Sequence, residues 1–111
     1  GPYSQAVKAQ GLIFCSGQIG IDPVTGALVS GGIQEQTQRA MENIKLVLEA
    51  AGSGLDKIIK STCYLKNISD FALFNEVYGS FFDENPPARE TVEVAKLPKE
   101  ALVEVSVVVL A

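Results

Sequence analysis

The chain has 111 residues, 47% hydrophobic and 20% charged, a composition that supports one folded domain over residues 1–111 and argues against disorder. Its net charge is −4, so the overall field repels phosphate backbones and no nucleic-acid partner is expected. Histidine is absent; this removes Ser-His-Asp triads, Cys-His pairs, His-ligated zinc and a histidine base, leaving acid–base work to Glu, Asp, Lys, Tyr, Cys or bound water.

In chain order, strands are expected over Pro2–Ala9 and Leu12–Gly17, joined by a tight turn at Gln10-Gly11. Asp22-Pro23-Val24-Thr25-Gly26 has turn chemistry, and Gly31-Gly32 closes the loop. Ile33, Thr37, Ala40, Ile44, Val47 and Ala51 recur at steps of three and four, which predicts a helix ended by Gly52. A strand over Ile58–Lys66 follows, with Ile59, Cys63 and Leu65 on one parity. A second helix begins near Ser69 as N-cap, carries Phe71, Phe74, Val77, Tyr78, Phe81 and Phe82, and stops at Asn85-Pro86-Pro87. The strand Arg89–Ala95 has Val92 and Val94 on one face and Arg89, Thr91 and Glu93 on the other, away from the valine core. After a turn at Lys96–Lys99, Leu102–Leu110 places Val103, Val105, Val107 and Val109 on one apolar face.

The predicted order is β-β-α-β-α-β-β, with two helices covering one sheet face. The other face carries Leu102, Val108, Leu110, Leu12 and Phe14. Such an apolar patch predicts a homo-oligomer in which sheet faces meet. Cys15 and Cys63 fit no metal spacing and are too few for a disulfide framework, so both are expected as reduced core residues of a cytoplasmic protein. No apolar run reaches membrane-spanning length and no signal peptide is visible; a start at Gly1 without an initiator Met fits a chain lacking a short N-terminal stretch.

Two residues carry candidate chemistry. Arg89 follows the stiff Pro86-Pro87-Ala88 segment. A guanidinium there suits either bidentate binding of a small carboxylate or a surface ion pair with Glu90 or Glu93. Glu104 interrupts a Leu/Val strand. Partial burial would raise its pKa toward the range useful for acid–base catalysis, although a paired structural carboxylate would read the same way. Locally, Ser16 reads as an ordinary strand-end serine, Gly17 as a place of close backbone approach, and Tyr3 as a ring that either walls a pocket or packs.

GPYSQAV at residues 1–7, FCSGQIGIDPVTG at 14–26, NIKLVLEAAG at 43–52, KSTCYLKNISDFALFNEVYGSFF at 60–82 and PPARETVEVAKLPKEALVEV at 86–105 together resemble the RidA (YjgF-type) family of reactive intermediate deaminases. The resemblance covers nearly the whole chain, and its last block is the most specific. It implies a chorismate-mutase-like α+β fold and a homotrimer with a central barrel of sheets. It also implies sites in the clefts between subunits and cofactor-free hydrolysis of enamines and imines of the 2-aminoacrylate type to 2-keto acids and ammonia. By the same resemblance Arg89 clamps the substrate carboxylate, and Glu104 activates water and passes a proton to ammonia. Ser16 hydrogen-bonds near that water, Tyr3 closes the pocket, Asn75 supports the cleft, and backbone at Gly17 and Thr91 completes the site. Thr91 departs from the Cys that many relatives carry, and Ser106 from an acidic residue. Two other activities are weighed beside this one: a non-catalytic binder or regulator of small carboxylates, and an endoribonuclease or translation inhibitor, against which the acidic charge and missing histidine argue.

Overall fold

The computed structural model describes residues 1–111. Five strands, β1 (Ala6–Ala9), β2 (Leu12–Gln18), β3 (Ile58–Leu65), β4 (Ala88–Glu93) and β5 (Val103–Leu110), form one sheet in the order β1-β2-β5-β3-β4. All pairs are antiparallel except β3–β4, which is parallel. Two helices, α1 (Ile33–Ala50) and α2 (Phe71–Gly79), complete the α+β fold.

The β1–β2 hairpin closes through Gln10 and Gly11, both at positive φ (54° and 76°), the two-residue geometry that matches strand twist. Helix α1 starts where the Glu35 carboxylate accepts from the Gly32 N–H at 2.9 Å; that bond holds the Glu35 carboxyl below the usual range. It stops before Gly52, whose φ of 82° is left-handed. Its buried stripe, including Ala40, Met41, Ile44 and Leu48, meets Val103, Val105, Val107 and Val109 of β5 and Ile13 of β2 in the core. Burying each such valine contributes about 1.5–3 kcal/mol. Cys15 and Cys63 lie in the same core, and burial pushes their thiols up to about 11 and about 12. Neither thiolate is available at neutral pH.

The open sheet face is apolar: Phe14 and Leu110 are exposed there as expected, and Val7 and Val92 join them.

Several boundaries and one face differ from expectation. β1 begins at Ala6, not Pro2. Pro2 has no N–H for a ladder, and the segment 1–5 is instead tied down by Ser4 O accepting from Ser16 Oγ at 2.6 Å and Gln5 O accepting from Ser16 N at 2.9 Å. β3 buries Ile58, Ser61, Cys63 and Leu65 and leaves Ile59 exposed, because a bulge between Ile58 and Lys60 resets the parity. Ser69 does not cap α2: Ile68–Asp70 is a 3₁₀ turn, the cap position is Asp70, and its side chain makes no cap bond. The helix ends at Gly79, beyond which Ser80, Phe81 and Phe82 each donate to the carbonyl three residues back, a tightening that precedes the prolines.

β4 ends at Glu93, and its facing is the reverse of the one expected. Arg89 and Thr91 turn toward the helices, while Val92 is 44% exposed on the open face. The strand lies at the sheet edge, beneath the aromatic face of α2, where the Arg89 guanidinium lies over the rings of Phe71, Phe74 and Tyr78.

Candidate active site

The parallel register pairs Ser61 with Arg89 and Cys63 with Thr91, and Ser61 and Cys63 are fully buried beneath the helices. Arg89 and Thr91 therefore share that side. The antiparallel register pairs Tyr64 with Glu104 and Thr62 with Ser106, on the opposite parity. Glu104 thus stands on the open face, and one sheet separates it from Arg89.

On the helix side, Arg89 Nη1 donates to Asn75 Oδ1 at 2.6 Å. Its guanidinium carbon lies 5.0 Å from the ring centre of Tyr78, 5.3 Å from Phe71 and 5.9 Å from Phe74. No carboxylate pairs with it. The two ion pairs of the chain are Arg39–Glu42 and Lys60–Glu90, and Glu93 accepts from the Ile68 N–H. Both acidic neighbours that could have made Arg89 a surface ion-pair residue are engaged elsewhere. Arg89, Asn75 and Tyr78 line a cavity of about 460 Å³ bounded by Phe82, Asp83 and Pro87; the Asp83 carboxylate shares the cavity but makes no ion pair with Arg89. An unneutralised guanidinium among rings in a concave site is a receptor for an anion, with a planar fork that fits carboxylate. Thr91, one pleat further on, has its Oγ1 enclosed without a hydrogen-bond partner.

Glu104, Tyr3, Gly17 and Gln18 line a second cavity, of about 430 Å³, which runs past the end of β2 to Asn43, Leu46 and Val47 of α1 and is closed on one side by Pro98 and Lys99. A β-bulge between Cys15 and Gln18 shifts the β2 register here. The missing side chain of Gly17 lets the Glu104 carboxylate keep its place, since a Cβ there would collide with it and displace it. Desolvation raises the Glu104 pKa above the ordinary carboxylate value, the direction that suits a group that must both take and give a proton. Lys99 and Glu100 hold positive φ (55° and 57°) without being glycine. Left-handed backbone of that kind costs about 1 kcal/mol per residue or more, and it is spent in the turn that walls this cavity. Tyr3 is 66% exposed at the rim. Ser16 is not among the cavity residues; its hydroxyl is committed to Ser4 O.

The structure therefore brings Arg89 to Asn75, and Glu104 to Tyr3 and Gly17, but holds the two groups apart within one chain. The sequence reading missed the aromatic setting of Arg89: Phe71, Phe74 and Tyr78 were counted as helix core. The signal was present, since positions 71, 74, 75 and 78 share one helical face. Gln18 reads in sequence as the end of the second strand, and Pro98 and Lys99 as turn residues, so none of the three is marked there as a site residue.

A family model described as Endoribonuclease L-PSP matches residues 1–111. Among known proteins, a RutC family protein of Pyrococcus horikoshii is 54% identical over 97% of this chain and 86% of its own length. Human 2-iminobutanoate/2-iminopropanoate deaminase is 44% identical over 99% of this chain and 80% of its own. Among solved structures, E. coli TdcF with bound serine superposes with a TM-score of 0.94 at 39% identity, covering 100% of this chain and 89% of that one.

Proposed function

The chain belongs to the Endoribonuclease L-PSP family, which takes in RutC and RidA proteins, and on that premise we propose that it hydrolyses 2-iminopropanoate- and 2-iminobutanoate-type imines, with their enamine tautomers, to 2-keto acids and ammonia. The observation that carries the reading is Arg89, a guanidinium with no acidic partner, held by Asn75 and three rings at a cavity wall. The name of the human relative and the serine bound to TdcF, a small amine-bearing carboxylate, support it.

In this reading Arg89 clamps the substrate carboxylate and places the protonated C=N group beside a water held by Glu104. The water oxygen bonds to the imine carbon. Its proton passes to the Glu104 carboxylate and from there to nitrogen. The C–N bond then breaks with its electron pair staying on nitrogen, the carbinol oxygen passes its proton to the Glu104 carboxylate and on to the departing ammonia, and keto acid and ammonium leave. The imine is already electrophilic, so positioning and one proton relay suffice, and no cofactor is needed. Ser16 acts by fixing the 4–5 segment next to Tyr3, and Thr91 through its backbone.

A small substrate cannot touch Arg89 and Glu104 across one sheet. The reading therefore requires a homotrimer whose open sheet faces meet in a central barrel, so that Arg89 of one copy faces Glu104 and Tyr3 of another. The exposed Val7, Phe14, Val92 and Leu110 suit such a contact. The endoribonuclease description of the family asks for a phosphodiester site; a net charge of −4 with nine scattered Lys and Arg gives RNA little to hold, and salt-dependent RNA binding is the measurement that separates the two. The deciding experiment is ammonia release from freshly generated 2-aminoacrylate with and without the protein. Unchanged turnover by the Arg89→Ala variant would sink the assignment.

A further inference from the structure

We infer that Tyr78 is a positioning residue for Arg89: its ring face, with those of Phe71 and Phe74, fixes the guanidinium as a preformed carboxylate receptor whose charge is left unneutralised. This rests on the reading of Arg89 as the carboxylate anchor.

The geometry is a three-ring cage. Arg89 Cζ lies nearest to Tyr78, at 5.0 Å, then Phe71 at 5.3 Å and Phe74 at 5.9 Å, all within the range where the negative ring face attracts a cation. Tyr78 is itself immobilised. It stacks on Phe74 with centroids 5.3 Å apart at 27°, and tilts against Phe82 at 4.9 Å and 48°. It is 4% exposed and Phe74 is fully buried. Phe71, Phe74, Asn75 and Tyr78 are spaced three and four apart on α2, so a single helical face supplies every group seen on the guanidinium.

The choice of rings has a physical consequence. An Asp or Glu on this face would hold Arg89 equally well, but would neutralise it and compete with a substrate carboxylate. Rings hold the cation by their quadrupole and leave its net charge for the ligand. Asn75 occupies one donor through its neutral Oδ1. Arg89 thus loses its rotamer freedom on folding, before the ligand arrives, which favours binding. The Tyr78 hydroxyl is not part of the device. It is enclosed and turned toward the Ser61 hydroxyl, which opposes the upward push of burial on the phenol.

The test uses 2-oxobutanoate as a non-reacting carboxylate probe, its binding measured by calorimetry, together with steady-state turnover of 2-aminoacrylate. Tyr78→Leu is expected to weaken probe binding and raise KM about 5–10-fold, with kcat within about twofold. Tyr78→Phe keeps the ring and recovers binding to within about twofold of the parent. Because Tyr78→Leu perturbs the core, a series of increasingly fluorinated phenylalanines at position 78 is run beside it. Ring volume there changes little while the quadrupole falls, so probe affinity should drop stepwise along the series. A flat or rising affinity along that series overturns the inference, as does a Tyr78→Phe variant as weak as Tyr78→Leu, which would assign the work to the hydroxyl. Arg89→Ala is the reference. If it leaves probe binding unchanged, the anchor reading itself falls; if it abolishes binding while the fluorinated series is flat, only the role of Tyr78 falls.

Discussion

The two sides of the sheet handle charge in opposite ways. Behind β4, a cation is enclosed by rings and an amide, with no carboxylate within ion-pair distance of it. In front of β5, a carboxylate stands half-buried over a glycine bulge, its pKa raised by desolvation and no base paired with it. Each is an unfinished electrostatic arrangement, and each would be improved by the other if they could meet. Within one chain the register forbids it. Charges left uncompensated on two surfaces of one molecule are more economically explained by a ligand and a neighbouring copy than by two separate defects of folding.

Removing the cation should have the largest effect. Arg89→Ala is expected to lower kcat/KM about 10³-fold or more, since the substrate carboxylate loses a desolvated charge-assisted partner. Combining chains breaks the comparison directly. Arg89→Ala and Glu104→Gln chains, each strongly impaired alone, should regain activity when refolded together, because about one quarter of the sites would then draw both intact residues from different copies. No recovery after mixed assembly, verified by mass, would mean that the two groups do not act at one shared site.

Glu104→Gln comes next, with kcat down about 10²-fold and 2-oxobutanoate binding retained. The pH dependence separates chemistry from stability. The proposed relay begins from the carboxylate, so kcat of the parent should rise with pH through the raised pKa of Glu104, and that limb should vanish in the Gln variant. For stability the direction is opposite. The folded state holds the proton more tightly than the unfolded one, so Glu104 weakens the fold as pH rises through the window above its ordinary value of 4.5. The Gln variant should therefore melt at or above the parent's temperature at pH 7, with the gap closing below about pH 4. A variant that melts well below the parent at neutral pH would argue that the carboxylate is paired in the assembly.

Much of this architecture was legible in residue order. Period-2 valines in β5 and the period-3.6 stripe of α1 have strong signals because burial enforces them on one face. What the sequence concealed was which way the edge strand faces. Along β4 and just past its end, Val92 and Val94 alternate with Arg89 and Thr91, and hydrophobicity alone assigns the valines to the core. The structure does otherwise because α2 offers rings, which accept a guanidinium, and because the open face is itself apolar. The bulge after Ile58 was unreadable for a related reason, since one unpaired residue inverts a parity without changing composition. The candidate residues are picked out by their family spacing; their division between two faces is not, as spacing along a chain carries no record of register across a sheet.

Gly17→Ala probes the open-face half with a single atom. The added Cβ would run into the Glu104 carboxylate, so the side chain must leave its place or the bulge must shift. Turnover should fall about tenfold with a stability loss of about 1–3 kcal/mol, while 2-oxobutanoate affinity, set by Arg89, stays near the parent's. Loss of probe affinity equal to the loss of turnover would show the two halves to be less independent than their separation implies.

The smallest effect belongs to Thr91, which lies beside the cation yet should contribute only backbone. Its Oγ1 is enclosed with no hydrogen-bond partner, and the group beside it is the Cys63 thiol, whose pKa is pushed up to about 12 chiefly by burial. Sulfur is a weak partner, so the hydroxyl is desolvated for little return. Thr91→Val keeps the β-branched shape and removes the hydroxyl. It should leave the chain as stable as the parent or stabilise it by about 0.5–1 kcal/mol, read as a shift in denaturation midpoint at unchanged m-value, with turnover reduced no more than about twofold. A loss of kcat comparable to that of Glu104→Gln would place the Thr91 hydroxyl in the proton relay. The helix side would then hold a catalytic group as well as an anchor, and the division of labour between the two faces would have to be redrawn.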